Sequence, residues 1–186
     1  MTAASPPTTA WLVLAVGPDR QHGGNDGYDD SEAAYYSWDS TVGNHSRIAP
    51  GDVIVLWDKR TLLGASIVES ITTGTETKAR YSCPLCGKAS LKARKTKHPR
   101  WKCFKCGGVF EEPTVVRDMV ETYRSEHASM WTDLTDCLSG AELRTLCRDP
   151  RSQLSLRQLL WPEFCRAVER AGKGDALDVI KARVAR

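Results

Sequence analysis

The chain has 186 residues, of which 41% are hydrophobic and 26% are charged, and its formal net charge is +3. This is the composition of a globular protein, and it excludes a disordered tail. No apolar run approaches the roughly 20 residues that a membrane span needs, and residues 11–16 are too few for the core of a signal peptide. We therefore expect a cytoplasmic protein that has no membrane partner.

The N-terminal half predicts a small β-barrel. Residues 1–10, which are rich in proline and small polar side chains, are predicted to be disordered. The apolar runs 11–16 and 53–57 each predict a buried strand, and residues 62–71 predict a third. Between the first two strands lies a polar stretch, residues 19–44, which contains four glycines and predicts a long loop of the functional or mobile kind.

The predicted barrel spans residues 11–125 and is interrupted by an insertion at 81–113, which we call the ribbon. Residues 114–116 are apolar and β-branched and are expected to resume the sheet after the ribbon. The fold class predicted from these elements is α+β, with a β-barrel, an inserted ribbon and C-terminal helices.

The C-terminal segment, residues 126–186, has the periodicity of helices. Ser155 can cap a helix, although Pro162 leaves two alternatives open: the helix begins near Pro162, or it begins at Ser155 and is kinked there. Asp175 is expected to cap a last helix that ends near Ala185.

Seven cysteines divide into two close pairs and three scattered residues. The pairs form the pattern C-x2-C-x16-C-x2-C, a spacing that predicts a four-thiolate zinc site. A glycine follows the second cysteine of each pair, so backbone amides can approach the sulfur atoms. Four protein ligands leave no open position on the metal, so the zinc ion is predicted to be structural. The predicted ligands are Cys83, Cys86, Cys103 and Cys106. The scattered residues, Cys137, Cys147 and Cys165, are predicted to be buried thiols.

Positive charge is concentrated in the ribbon. Residues 87–110 contain eight basic side chains and no acidic one. Such a segment either forms a solvated face or binds the phosphates of a nucleic acid, and the absence of counter-charges favours phosphate. Trp101 lies among these cations and either stacks on a base or covers the metal site.

The N-terminal elements resemble the EVE branch of the PUA-like superfamily. The resemblance rests on residues 11–13, Trp38 within Tyr-Ser-Trp-Asp-Ser, Asn44, the Gly-Asp-led strand at 50–56 and the glycine-containing strand at 63–68. It implies a PUA-like (EVE/SRA-like) pseudobarrel with a pocket for a flipped base. EVE-type domains resemble modified-base readers, and their combination with a four-cysteine ribbon is similar to the N-terminal part of HNH restriction endonucleases that depend on 5-methylcytosine.

This resemblance implies a reader of modified cytosine in duplex DNA, with no catalytic residue of its own and with a nuclease domain or subunit as a partner. A flipped base is recognised by stacking and by hydrogen bonds to its edge. The candidate walls are Tyr36, Trp38 and Trp57, the candidate acceptors are Asp39 and Asp58, and Ser37 or Ser40 completes the edge. Trp57 fits a core position equally well, and Asp58 fits the start of a turn.

Contacts to the DNA backbone are assigned to polar residues of the loop and to cations of the ribbon. These are Asn44, His45, Arg47, Lys92, Arg94, Lys95, Lys97 and Arg100. The main alternative function is an RNA-binding PUA-like module, since PUA-like folds and zinc ribbons also serve RNA. Two further alternatives are an enzyme with its site in residues 19–45 and a protein-interaction module that uses the C-terminal helices.

Overall fold

The structure is a computed structural model that describes residues 9–15, 30–89, 91 and 93–185. Most of the predicted N-terminal lead-in, the first part of the predicted loop and Lys92 lie outside the described residues. The described strands are β1 (Ala10–Leu14), β2 (Tyr35–Asp39), β3 (Val53–Trp57), β4 (Leu62–Ile67), β5 (Ser70–Ser82), β6 (Trp101–Lys102), β7 (Val109–Phe110), β8 (Thr114–Glu126), β9 (Thr132–Asp133) and β10 (Leu156–Leu159). The helices are α1 (Gly140–Thr145), α2 (Trp161–Arg170) and α3 (Asp178–Val184).

The strands form two main sheets and one small one. The first sheet has the order β10-β1-β3-β4-β9, in which β1 and β3 are parallel and all other pairs are antiparallel. The second sheet has the order β2-β8-β5, and β6 pairs with β7. We call the two main sheets and the helices the two-sheet domain. The predicted α+β class is confirmed, and over the described residues the two sheets form no closed barrel.

Both faces of the first sheet are covered. Side chains on one face, among them Trp11 and Ile54, form an apolar cluster with Trp38 of the second sheet. Side chains on the other face, among them Val55, form a second cluster with Phe164 of α2 and other helical residues. A sheet that is buried on both faces requires continuous apolar strands, which explains the uninterrupted runs of β1 and β3.

A buried carboxylate joins the starts of β1 and β3. The turn before β3 contains Gly51 at φ +92°, a conformation that favours glycine. The next residue, Asp52, accepts hydrogen bonds from the indole Nε1 of Trp11 at 3.0 Å and from the backbone amides of Thr9 at 3.1 Å and Ala49 at 3.0 Å. These three bonds satisfy the carboxylate inside the protein and fix the parallel register of the two strands.

Strands β5 and β8 form a long hairpin that carries the ribbon at its far end. They pair over thirteen residues, from Ser70 opposite Glu126 to Ser82 opposite Thr114. Strand β2 pairs only with the base of this hairpin, as far as Thr122. Beyond Thr122 the hairpin is two-stranded, and we call this part, residues 75–82 and 114–121, the arm. Eight residues at about 3.4 Å each give the arm a length of about 27 Å.

In the structure the ribbon lies between β5 and β8, and two local predictions are corrected. Tyr35–Asp39, predicted within a loop, is strand β2 because it pairs with β8. Leu156–Leu159 is an edge strand paired with β1, so Ser155 caps no helix. Helix α2 instead begins at Trp161 with Pro162 in its first turn, which confirms the first of the two alternatives.

The last helix begins three residues after the predicted cap. Asp175 lies in a short 3-10 turn, Gly174–Leu177, that precedes α3. Helix α1 has a capping box, in which the Ser139 hydroxyl accepts from the Glu142 amide and the Glu142 carboxylate accepts from the Ser139 amide. No helix among the described residues is long and apolar enough to cross a membrane.

Candidate metal centre and nucleic-acid interface

The ribbon brings its four cysteine sulfur atoms together. All four lie within 4.8 Å of one another: Cys83, Cys86, Cys103 and Cys106. The Sγ atoms of Cys83 and Cys106 are 3.6 Å apart, as are those of Cys86 and Cys103. A tetrahedral zinc ion bound by four thiolates separates its sulfur atoms by about 3.8 Å. The side chains present therefore fit a metal ion with four sulfur ligands, as the spacing predicts.

Two turns of the same geometry hold these side chains. In the first turn the Gly87 amide donates to the Cys83 carbonyl at 2.9 Å, and in the second the Gly107 amide donates to the Cys103 carbonyl at 2.9 Å. Both glycines have positive φ, +68° and +77°. A residue with a Cβ atom is strained in this conformation, so each C-x2-C pair needs the glycine that follows it.

Backbone amides of the second turn are directed at sulfur. Hydrogen bonds from the amides of Cys106 and Lys105 lower the pKa of the Cys103 thiol to about 6. The Gly108 amide also favours the Cys106 thiolate, but burial and the neighbouring sulfur atoms outweigh it and raise the pKa of that thiol to about 11. Thiols this close resist losing all their protons together, and a dication removes the resistance.

Apolar packing around the metal centre is small. The fully buried residues are Cys83, Cys103 and Leu91, and Trp101 packs beside them. The ring of Trp101 contacts the ring of Tyr81, with centroids 4.9 Å apart. Of the two interpretations of Trp101, the structure places it as a cover of the metal centre.

The cations of the ribbon differ in their accessibility. Lys95, Lys97 and Arg100 are exposed. Arg94 is partly used by its own loop, because its guanidinium donates from Nε to the Pro99 carbonyl at 3.1 Å. Lys92 lies outside the described residues. Five ribbon cations were predicted to contact the DNA backbone, and three of them are exposed surface charges. Lys88 and Lys105 are exposed as well.

An exposed aromatic residue of the second turn was not among the sequence candidates. Phe104 has 86% of its surface exposed, and Leu85 of the first turn has 70% exposed. The signal in the sequence is their position between two ligands. When both cysteines of a pair are directed at a metal, the small core has no room for a side chain between them, and that side chain projects into solvent.

Tyr36 and Trp38 of the predicted base pocket lie between the two sheets. Both are fully buried, and their ring centroids are 5.8 Å apart. Trp38 also stacks on half-buried Tyr123, at 5.4 Å and 8° between planes, and donates from Nε1 to the His45 carbonyl at 2.8 Å. Trp38 is therefore a core residue and the middle ring of an aromatic stack that runs from buried Tyr36 to Tyr123, which solvent reaches.

The prediction that Trp57 shares a pocket with Trp38 is corrected. Trp57 is buried in the cluster on the helical face of the first sheet, whereas Trp38 belongs to the cluster on the opposite face. Successive side chains of a strand alternate between faces, and Trp57 follows Leu56 of the inter-sheet cluster. The guanidinium groups of Arg144 and Arg157 lie over the indole of Trp57, 5.3 and 5.2 Å from the ring centre.

The predicted polar edge of the pocket has local structural roles. Asp58 begins a turn, since its carboxylate accepts from the amides of Arg60 and Thr61, both at 2.8 Å, and these bonds lower its pKa although burial opposes them. Asp39 is buried and forms an ion pair with Lys78. The backbone amide of Ser37 donates to the Asp30 carboxylate at 2.7 Å.

Ser40 joins the end of β2 to β8. Its hydroxyl accepts from the amide of Glu121 at 3.2 Å. Ser37 and Asp39 therefore lie on β2 with Tyr36 and Trp38, and Ser40 directly follows this strand, while Trp57 and Asp58 lie elsewhere. Successive side chains of β2 alternate between faces, so Ser37 and Asp39 face away from Tyr36 and Trp38, and the predicted walls and polar edge do not form one pocket.

The loop residues predicted to contact DNA do not lie with the ribbon cations. Asn44 has φ +67°, and its side-chain amide donates to the Leu156 carbonyl at 3.0 Å, which ties the loop to β10. The His45 ring packs against Tyr123 at 5.8 Å. Arg47 is exposed and lies over the Trp11 ring at 5.7 Å. These residues belong to the two-sheet domain, and the arm separates them from the ribbon.

Comparisons of the chain with protein-family models, with curated proteins and with solved structures find no match in any of the three.

Proposed function

We propose that this protein binds duplex DNA that carries a modified cytosine, with 5-methylcytosine as the expected base. The observation that carries the proposal is the exposed, cation-rich surface at the free end of the arm. Lys95, Lys97 and Arg100 are accessible there, and residues 87–110 contain no acidic side chain. Glu111 adds one carboxylate beside this surface, 3.9 Å from the His98 ring, but the cations outnumber it. A surface with such an excess of positive charge attracts a polyanion and releases its condensed counterions on binding.

The metal of the ribbon is proposed to be structural zinc. Four thiolates complete its tetrahedral shell, so the metal shapes the ribbon and offers no open position to a substrate. Cys83, Cys86, Cys103 and Cys106 would hold it. The ribbon then presents its cations from a fixed scaffold, and the reading of the base is left to the two-sheet domain.

The length of the arm supports contact with one duplex at two places. About 27 Å separates the ribbon from the end of β2, and base pairs of B-DNA follow each other at about 3.4 Å. The two regions can therefore reach positions about eight base pairs apart, which is less than one helical turn. Arg47, exposed on the two-sheet domain, is the proposed phosphate contact on that side.

The base is proposed to be read at the open end of the aromatic stack. Trp38 and Tyr36 are closed to solvent, whereas Tyr123 is half-buried, so a flipped base reaches Trp38 by displacing the Tyr123 ring. Stacking contributes about 1 to 3 kcal/mol per base, and one buried methyl adds about 0.8 kcal/mol. Discrimination by the methyl group alone is thus expected to be a few-fold.

The proposal includes the resemblance to EVE-type pseudobarrels and to the recognition part of methylation-dependent restriction enzymes. Two facing sheets around Trp38, the Gly-Asp turn that ends in Asp52 and the glycine of β4 support it. Gly64 of β4 has a local reason to be glycine, because a Cβ atom there would lie 2.4 Å from the Trp131 ring. A nuclease domain or subunit is the proposed partner, and the chain itself acts as the recognition module.

Fluorescence anisotropy with duplexes of one sequence tests this function. Wild-type protein is titrated with unmethylated, 5-methylcytosine and 5-hydroxymethylcytosine duplexes at several salt concentrations, with a structured RNA as competitor. Tighter binding of a modified duplex supports the proposal. Equal affinity for all three duplexes would refute modified-base reading, and preference for the RNA would favour the RNA-binding alternative.

A further inference from the structure

The most exposed large apolar side chain of the ribbon lies among its cations. Phe104 is 86% exposed. Burial of such an aromatic side chain would stabilise the fold relative to exposure. The Lys102 ammonium lies 5.6 Å from the centre of the Phe104 ring, and the next residue, Lys105, is also exposed. An aromatic ring flanked by two cations presents a flat apolar face and two positive charges together.

The position of Phe104 is fixed by the metal centre. Its neighbours on the chain, Cys103 and the turn to Cys106, are directed at the metal, and the Gly107 amide closes this turn on the Cys103 carbonyl at 2.9 Å. The backbone under the ring is therefore held before any ligand arrives. A Phe ring on a fixed backbone has only two side-chain torsions left to order when it binds.

We propose that Phe104 stacks on a base of the bound DNA, as a wedge at the end of the arm, while Lys102 and Lys105 contact the flanking phosphates. This inference rests on the proposed DNA-binding function and assigns a second base contact, separate from the pocket at Trp38. The cations select the partner class, because an apolar protein groove or a lipid interior would leave them unpaired. Apolar side chains inserted at base steps unstack and kink a duplex.

Leu85 extends the apolar surface of the ribbon on the side of the second turn. A Cβ atom added to Gly108 would lie only 2.5 Å from the Leu85 Cδ1 atom. The side chain thus packs over the second turn and still exposes 70% of its surface. Gly108 is needed for this close approach, and a larger residue there would displace Leu85.

Replacement of Phe104 by alanine tests the inference. The F104A variant is expected to bind any duplex about tenfold more weakly than wild type, because a stacked base is lost. Stacking is not electrostatic, so the slope of log affinity against log salt is expected to stay the same. Met119→Ala is the matched control, since Met119 is 77% exposed on the arm, and its replacement is expected to leave binding unchanged. Metal content of both variants is measured to show that the ribbon is intact.

A duplex containing 2-aminopurine provides a readout that electrostatic contact alone would not change. Wild-type protein is expected to raise the fluorescence of the unstacked 2-aminopurine, F104A is expected not to, and F104W is expected to restore it. If wild type binds DNA but F104A binds equally well, or if F104A leaves the fluorescence change intact, this inference is overturned and DNA binding stands. If wild type binds no DNA, the proposed function itself is overturned.

Discussion

The ribbon and the two-sheet domain differ in what stabilises them. Among its described residues the ribbon buries three, two of which are cysteines, around its sulfur cluster. The two-sheet domain buries two apolar clusters with several large aromatic side chains. Because so small a core cannot offset the conformational entropy of ordering the ribbon, we expect its fold to depend on the proposed metal and the two-sheet domain to fold without it.

Loss of the metal ligands is the largest expected effect on this comparison. The double variant Cys103→Ser, Cys106→Ser is expected to lose the proposed zinc ion and with it about 10 kcal/mol of metal-linked folding free energy in the ribbon. Metal analysis and amide NMR of purified protein measure this, with Cys137→Ser, outside the cluster, as control. The signals of the two-sheet domain are expected to remain. A full equivalent of metal in the double variant would contradict the four-ligand site.

Truncation of Trp38 is the corresponding change in the two-sheet domain. Trp38→Ala removes a fully buried ring and its hydrogen bond to the His45 carbonyl, so the free energy of unfolding is expected to fall by about 3 to 5 kcal/mol. Denaturant titration followed by circular dichroism measures the change. Zinc content is expected to stay at one per chain. A change under about 1 kcal/mol would show that Trp38 contributes little to the core.

Neutralising two exposed cations sharpens the comparison through binding. Lys95→Ala with Lys97→Ala is expected to weaken binding of all duplexes by roughly tenfold and to lower the salt slope by about 2, because two phosphate contacts are lost. Anisotropy across a salt series measures both. Lys59→Ala, an exposed lysine of the two-sheet domain, is the control. An unchanged salt slope would show that the ribbon cations do not contact phosphate.

The smallest expected effect concerns pH and the two-sheet domain alone. Burial lowers the pKa of His127 below its ordinary value of 6.5, although the Glu32 carbonyl, Glu126 and Glu69 oppose this. The unfolded chain then binds a proton more readily than the folded one, so the free energy of unfolding is expected to decrease as pH falls below about 6.5. Denaturation midpoints of wild type and His127→Gln between pH 5 and 8 measure it. Equal pH dependence in both would exclude His127 as the cause.

Local patterns predicted the parts of the fold that depend on local chemistry. The apolar run of β3 matched the observed strand because both of its faces are buried, and the cysteine spacing matched the cluster because two tight turns need only their own residues. The exposed ring of Phe104 was not foreseen, since exposure depends on how little core the ribbon has.

Long-range pairing explains what the sequence could not predict. Leu156 and Leu159 are spaced as on a helix, yet they lie in a strand because β1 offers a free edge more than 140 residues earlier. Tyr35–Asp39 lies within a polar, glycine-containing stretch but pairs with β8. Trp57 and Trp38 come from different strands and lie in different apolar clusters. The pocket candidates were chosen by residue type, which carries no information about strand pairing.

The hairpin of β5 and β8 has a kinetic consequence. Its far ends, Ser82 and Thr114, are joined by residues 83–113 instead of a short turn, so pairing there must close a loop of 31 residues. Such a loop forms slowly because its closure entropy grows with length. Metal capture draws the four sulfur atoms together and shortens the effective loop. We therefore expect the metal-bound chain to pair this hairpin from its tip and to form it faster than the metal-free chain, in which pairing at either end must close a long loop.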